Sequence, residues 1–354
     1  MPSIEILGSG RLDERESAFP QSVRLANGDV LCSFSVGGGQ YVHGGTDWVR
    51  STDGGETWRL EGRILPPTSD PPSANFLKLS GSADGKTIYA YGTRYWGSTD
   101  ERFGERRGEP VVCVSTDQGE SWSEPQVLPA PADCPLEISH GILPLRSGRL
   151  LAPAATLAAK DRLGEQVFVA VSDDGGQTWP SHRVVFEDPE KRFGYWEQKL
   201  AQLDDGRLLA TAWTVSLGDY QDQHDSFTIS EDDGQTWSPA RSTGIRGQTM
   251  TPIPLGGDRL LVLYNRRYGE QGIVMCLVTF TDDHWTVHHA GLMYDAGAKR
   301  ERPADVQSGV EEFDTFAFGF PTAVRLDDQT LLATHWCVEN GVCGIRWTRL
   351  RLDW

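Results

Sequence analysis

The sequence predicts an all-β chain, folded as a six-bladed β-propeller of four-stranded antiparallel blades with almost no helix. Two interleaved repeats and their common period predict it. The first repeat is an eight-residue box, S-x-D-x-G-x-T/S-W, at 51–58, 115–122, 172–179 and 230–237. Its aspartates are Asp53, Asp117, Asp174 and Asp232, separated by 64, 57 and 58 residues. A worn fifth copy lies at 281–285. The second repeat is a hairpin: FPQSVRLANGDVLCSFS (19–35), FLKLSGSADGKTIYAYG (76–92), GILPLRSGRLLAPAA (141–155), EQKLAQLDDGRLLATAW (197–213), TPIPLGGDRLLVLYN (251–265) and FPTAVRLDDQTLLATHW (320–336). Each reads as strand, tight turn and strand. Six such units share 354 residues, about 59 each, so the chain is one domain, 1–354.

The blades fall at roughly 10–66, 67–130, 131–187, 188–241, 242–297 and 298–354. The last unit stops one strand past its inner hairpin. The segment PSIEIL (2–7) has no partner of its own, so it is expected to complete the sixth blade and close the ring, leaving only short protected edges. The box itself reads as a turn. Its Asp accepts hydrogen bonds from turn N–H groups, its Gly takes a positive φ, and its Trp starts the next strand with a large apolar face. The box aspartates and tryptophans are therefore structural.

Lys and Arg number 33 against 50 Asp and Glu, a net charge of −17 with pI near 4.9. A surface this acidic repels phosphate backbones and anionic lipid, so neither nucleic acid nor membrane is an expected partner. Hydrophobic residues make up 38%, enough for a buried core. The N-terminal segment has neither a basic n-region nor an apolar h-region, which gives a cytoplasmic expectation. The six cysteines (Cys32, Cys113, Cys134, Cys276, Cys337 and Cys343) form no CxxC pair and no zinc-ligand spacing. Cys32, Cys113, Cys276 and Cys337 read as buried free thiols, while Cys337 and Cys343 stand near each other across a hairpin. No cofactor or metal is implied, and the acidic loop 219–225 reads as solvated.

In a propeller, the inner strands begin at one face and the box turns lie on the other. Starts of inner strands supply Glu16, Ser17, Ala18, Asn75, Glu137, His140, Tyr195, Trp196, Glu197, Gln198, Gln248, Thr249, Asp314, Phe318 and Phe320. Loops between second and third strands supply His43, Asp47, Arg94, Tyr95, Trp96, Asp219, Asp222, His224, Asp225, Arg266, Arg267, His335, Trp336 and Glu339. Aromatic rings with polar and charged neighbours suit sugars, whose CH faces stack and whose hydroxyls need placed partners. The densest group is Tyr195-Trp196-Glu197-Gln198.

With its four boxes, the chain resembles the sialidase superfamily of six-bladed Asp-box (BNR) propellers over nearly its whole length. The resemblance implies three clamp arginines for a substrate carboxylate, a Tyr nucleophile activated by a Glu, and an Asp acid/base on a first-blade loop. Glu197 stands where the Glu is implied, Asp47 and less well His43 where the Asp is, and Arg266 or Arg267 matches one arginine. Three positions depart. The first arginine's place reads Ala18-Phe19-Pro20, another's reads Ala212-Trp213-Thr214, and the nucleophile's is Phe320. The standard sialidase mechanism is therefore not expected.

The expected function is a carbohydrate-active enzyme that cleaves a terminal, acidic sugar from an oligosaccharide. As a glycoside hydrolase it would use Glu197 and Asp47 as its carboxyl pair. As a uronate-specific lyase it would use His140 or His43 as base, with Arg266 or Arg94 on the enolate. Substrate contacts fall to His43, Arg94, Tyr95, Tyr195, Trp196, Gln198, Trp213, Arg267 and His335. The alternative is a non-catalytic propeller that binds a glycan or a protein.

Overall fold

A computed structural model describes residues 2–97, 106–131, 133–158, 162–300 and 316–354. Strand β1 (Ser3–Asp13) opens the chain. The first blade is β2 (Ser17–Arg24), β3 (Val30–Val36), β4 (Thr46–Ser51) and β5 (Arg59–Leu65). The second is β6 (Ser73–Gly81), β7 (Ile88–Trp96), β8 (Arg107–Ser115) and β9 (Gln126–Val127). The third is β10 (Leu136–Glu137), β11 (Leu143–Pro144), β12 (Leu150–Leu157), β13 (Leu163–Ser172) and β14 (Ser181–Glu187). The fourth is β15 (Phe193–Gln202), β16 (Leu208–Ser216), β17 (Ser226–Ser230) and β18 (Arg241–Ser242). The fifth is β19 (Gln248–Gly256), β20 (Arg259–Arg266), β21 (Gly269–Phe280) and β22 (Trp285–Arg300). The sixth is β23 (Phe318–Arg325), β24 (Thr330–Glu339) and β25 (Val342–Asp353), with β1 added outside β25.

Each blade is an antiparallel meander, and the fold is a six-bladed propeller. The ring is closed by β1, which pairs with β25 from Ser3 opposite Asp353 to Asp13 opposite Ile345. It runs on past the segment the sequence singles out. Among the described residues the one helical element is a 3-10 turn at Gly39–Tyr41, and no helix is long and apolar enough to cross a membrane.

Local chemistry explains the regularity. The first hairpin turns on Leu25-Ala-Asn-Gly-Asp29, where the Leu25 N–H reaches the Asp29 carbonyl and the Gly28 N–H reaches the Leu25 carbonyl. Turns at 145–149 and 203–207 repeat both bonds, and Gly28, Gly148 and Gly206 hold φ of 93°, 92° and 98°. Other residues resist that conformation. The boxes are equally uniform. In the first, Asp53 accepts from the Ser51 hydroxyl (2.7 Å), the Thr57 N–H (3.0 Å) and the Thr57 hydroxyl (2.5 Å). The same partners recur around Asp117, Asp174 and Asp232.

The hydrophobic core is divided into six seams, one between each pair of neighbouring blades. Leu31, Leu77, Leu79 and Val111 fill the first-to-second seam, and Phe34, Phe320, Trp336 and Ile345 fill the sixth-to-first. Hydroxyls stitch the seams near the axis. Ser33 donates to the Leu77 carbonyl, Thr211 to Met250, Thr251 to Pro321 and Thr322 to Pro20. Cys32, Cys113, Cys276, Cys337 and Cys343 are buried free thiols, and Cys134 is half-buried. Cys343 lies opposite Val338 rather than Cys337 in the β24–β25 ladder.

Candidate active site

Four of the six inner strands carry the same irregularity. The ladder skips two residues between Ala18 and Gln21, Trp196 and Lys199, Gln248 and Thr251, and Gly319 and Thr322. The first skipped residue of each is left-handed: Phe19 (φ 58°), Glu197 (49°), Thr249 (51°) and Phe320 (54°). Such a conformation costs a non-glycine residue roughly 1–3 kcal/mol and clusters at functional sites. Each bulge breaks the in-out alternation and re-aims its apex residue.

Three blades bring rings to the axis. Phe19 lies 5.2 Å from Phe76 and 5.5 Å from Phe320, measured between ring centroids. Two fully buried lysines back these rings. The Lys78 ammonium is 3.4 Å from the Phe76 centroid, and the Lys199 ammonium is 3.6 Å from that of Phe320. Their other support comes from the third blade, whose inner strand is interrupted between β10 and β11. There Lys78 donates to the Ile138 carbonyl and Lys199 to the Ser139 carbonyl.

Glu137, at the end of β10, accepts the Ser139 hydroxyl on Oε1 and the Glu197 backbone N–H on Oε2, the latter at 3.1 Å. Burial pushes the Glu197 carboxyl up to about 7, and Glu137 pushes the same way; Lys199, Arg267 and Lys78 pull it back. Burial brings Lys199 down to about 7 against the attraction of Glu197 and Glu137. Half-buried His140 donates from Nδ1 to the Gly141 carbonyl, 2.9 Å away. Burial and the two lysines bring it to about 3, so it is neutral at ordinary pH.

A second layer runs from the fourth blade to the fifth. Asp222 accepts the Trp213 indole N–H at 2.9 Å and the Gln248 amide at 3.3 Å. Gln248 in turn accepts Arg267 Nε at 2.5 Å, and the Arg267 guanidinium lies 3.5 Å from the Phe316 ring centroid. Burial raises Asp222 to about 6. Asp225 is fully buried, its carboxyl has no hydrogen-bond partner among the described residues, and burial holds it well above the usual carboxylate range.

These placements sort the residues picked out from sequence. Glu197 feels Arg267 and Lys199, His140 feels Lys199, and Trp213 joins Arg267 through Asp222 and Gln248. Asp47 does not join them. It is a residue of β4, held between Arg63 Nε of β5 (2.6 Å) and Arg15 Nη1 (3.0 Å). Arg266 pairs with Glu270, and Arg94 with Glu109 at 2.5 Å over the Trp96 ring. Tyr95 stacks on Phe76 and Tyr195 on Phe186. Trp196 donates to the Leu163 carbonyl, and Gln198 to that of Phe168. His43 stacks on Tyr41. His335 is fully buried against Tyr294 at 4.8 Å. Asp314 lies outside the described residues. Among those described, no three His, Cys, Asp or Glu side chains are grouped to hold a metal ion.

Comparison with known families matches this architecture. The model of the BNR repeat-like domain matches residues 82–286, more than half the chain, and the BNR/Asp-box repeat model matches 49–60, around the first box. The chain belongs to the BNR repeat-like domain family. Its resemblance to the sialidase superfamily thus holds for family and fold. No curated protein matches the chain in sequence. Among solved structures, a protein of unknown function from Dyadobacter fermentans DSM 18053 superposes with a TM-score of 0.79 at 21% identity, covering 100% of both chains. Penicillium chrysogenum alpha-L-arabinanase complexed with arabinobiose gives 0.68 at 14% identity, covering 98% of both. Trypanosoma rangeli sialidase in complex with the inhibitor DANA gives 0.66 at 16%, covering 98% of this chain and 60% of that one. At these identities the likeness is one of fold.

This BNR repeat-like chain also holds residues that motif reading passes over. Lys78 and Lys199 sit in matched places of two hairpin repeats, each a charge inside an apolar inner strand. An interior lysine in a strand that must be buried is the available signal, because a buried ammonium needs partners. Ser139 gives no such signal.

Proposed function

We propose that the chain is a glycan-processing enzyme, acting as a glycoside hydrolase with Glu197 as its acid/base. The observation that carries this is Glu197 itself. It is a half-buried carboxyl at a strained apex on the face opposite the boxes, with proton affinity raised to about 7. A carboxyl so poised can give a proton to a departing glycosidic oxygen and take one from the attacking water. Phe19, 5.5 Å from Phe320 between ring centroids, offers a half-buried ring for a sugar face. Arg267 is the cation that an acidic sugar would meet. The fold shared with an arabinanase and a sialidase supports sugar chemistry.

One observation favours elimination as a second reading. His140 gives its Nδ1 hydrogen to the Gly141 carbonyl, which leaves Nε2 with a lone pair that can accept a proton. On a uronic acid it would take the C5 proton, with Arg267 on the developing charge.

A panel of neutral and acidic oligosaccharides tests both, read by reducing ends and by the ultraviolet absorbance of an unsaturated product. Hydrolysis lost in Glu197→Gln is the expected result. Absorbance that depends on His140 would move the assignment to elimination. Turnover on no glycan, or turnover unchanged by Glu197→Gln, overturns the proposal; binding without turnover would leave a sugar-binding propeller.

A further inference from the structure

We infer that Glu137, Ser139 and Lys199 are positioning residues that hold Glu197 at the apex of its bulge; this rests on the reading of Glu197 as acid/base. The bonds form a closed circuit between the third and fourth blades. Lys199 donates to the Ser139 carbonyl, the Ser139 hydroxyl donates to Glu137 Oε1, and Glu137 Oε2 accepts the Glu197 N–H. Two residues of β15 then lead from Glu197 back to Lys199. Every supporting member is buried, with exposures of 7% for Glu137, 8% for Ser139 and 0% for Lys199.

The circuit answers a local problem. A glutamate at φ 49° sits outside the conformations it prefers, and relaxation toward ordinary strand geometry would swing its carboxyl off the axis. A carboxylate on the apex N–H makes a charge-assisted bond that opposes that relaxation. Glu137 can provide it because the third blade's inner strand is interrupted directly after it. The interruption leaves carbonyls without a neighbouring strand, and the lysines of the flanking blades take them, Lys78 at Ile138 and Lys199 at Ser139. The charged groups acting on the Glu197 carboxyl are Glu137, Lys199, Arg267 and Lys78, with Asp225 felt from just before β17. Loss of the circuit therefore changes both the aim and the proton affinity of Glu197.

Ser139→Ala removes the hydroxyl and Ser139→Thr keeps it, and both leave the rest of the circuit in place. Two readouts apply: the pH profile of turnover on whichever glycoside the panel identifies, and the Glu197 carboxyl carbon shift followed by NMR against pH. The expectation for Ser139→Ala is a fall in kcat of about tenfold with KM changed less, a Glu197 midpoint moved by about half a pH unit, and recovery in Ser139→Thr. Unchanged kcat and midpoint in Ser139→Ala would overturn the inference while the acid/base reading stands. If the wild-type protein turns over no glycoside, that reading fails by itself and the carbon titration still decides the circuit. Glu137→Ala is the stronger lesion, and Ser139→Ala carries the test should it not fold.

Discussion

Lys78 and Lys199 occupy equivalent places in two blades, and each donates its ammonium to a carbonyl 60 residues away, Ile138 and Ser139 respectively. The third blade lies between them, so one interrupted strand is gripped from both flanks. Each ammonium also rests on a phenyl ring from another blade or its own, Phe76 at 3.4 Å and Phe320 at 3.6 Å. Carbonyls, ring faces and nearby carboxylates replace the water that a buried ammonium loses. The axis is thus built on two lysines that never reach solvent.

Phe320 touches both halves of this arrangement, since Lys78 is also within 5.8 Å of its ring centroid. Phe320→Leu removes the ring face and leaves a partial cavity, an expected cost of about 2–4 kcal/mol. The cation-dependent share should vanish once Lys199 is neutral. Denaturant unfolding of both proteins should therefore show a larger loss at pH 6 than at pH 9, on either side of the Lys199 value of about 7. Equal losses at both pH values would mean that packing alone is involved.

What was legible in the sequence is what is local and repeated. Ser51, Asp53, Gly55 and Thr57 lie within seven residues and satisfy one another, so their spacing announces their geometry. Closure by the N-terminal strand was legible because one unit lacked a strand. The site was less so, because its partners meet only across blades. Glu137 and Glu197 are 60 residues apart, and nothing near either one names the other. Register hid the rest. Asp47 reads as a loop carboxylate, but β4 already starts at Thr46 and turns it to Arg63. Tyr195 and Trp196 flank Glu197 in sequence, yet only Glu197 is the apex; the tyrosine faces the third-to-fourth seam.

Removing residues 1–9 should destabilise the sixth blade. It takes away the pairing from Ser3 through Ser9 and exposes the polar edge of β25. About half a dozen strand hydrogen bonds at roughly 0.5 kcal/mol each give a loss of about 3 kcal/mol. A scanning calorimetry trace should show the melting temperature lowered by several degrees. An unchanged melting temperature would contradict closure through β1.

The boxes predict an acid response. The Thr178 hydroxyl and N–H and the Ser172 hydroxyl hold Asp174 at about 2, below its ordinary 3.8. With the folded value below the unfolded one, this stabilisation is present above pH 3.8 and lost as pH falls toward 2. Asp174→Asn keeps one acceptor and loses the charge. It should melt below wild type at pH 6, and the gap should close as the pH falls through that window. A gap that stays constant with pH would show that the bonds do not depend on ionisation.

The axial pair predicts an unusual stability profile. Glu197 titrates at about 7 in the folded chain against an ordinary 4.5, so between those values the unfolded chain has released a proton that the folded one keeps. Stability from this group falls as pH rises through the window. Lys199 is the reverse case. Its amine titrates at about 7 against an ordinary 10.5, so the unfolded chain binds the extra proton and stability rises with pH between them. Together they place a minimum near neutrality. Glu197→Gln should flatten the limb below pH 7. Lys199→Met should flatten the limb above it and, because Lys199 had been pulling Glu197 down, extend the falling limb to higher pH. Melting temperatures of the three proteins from pH 4.5 to pH 10.5, the ordinary values of the two groups, measure both slopes. Curves that run parallel throughout would mean that neither group changes its proton affinity on folding.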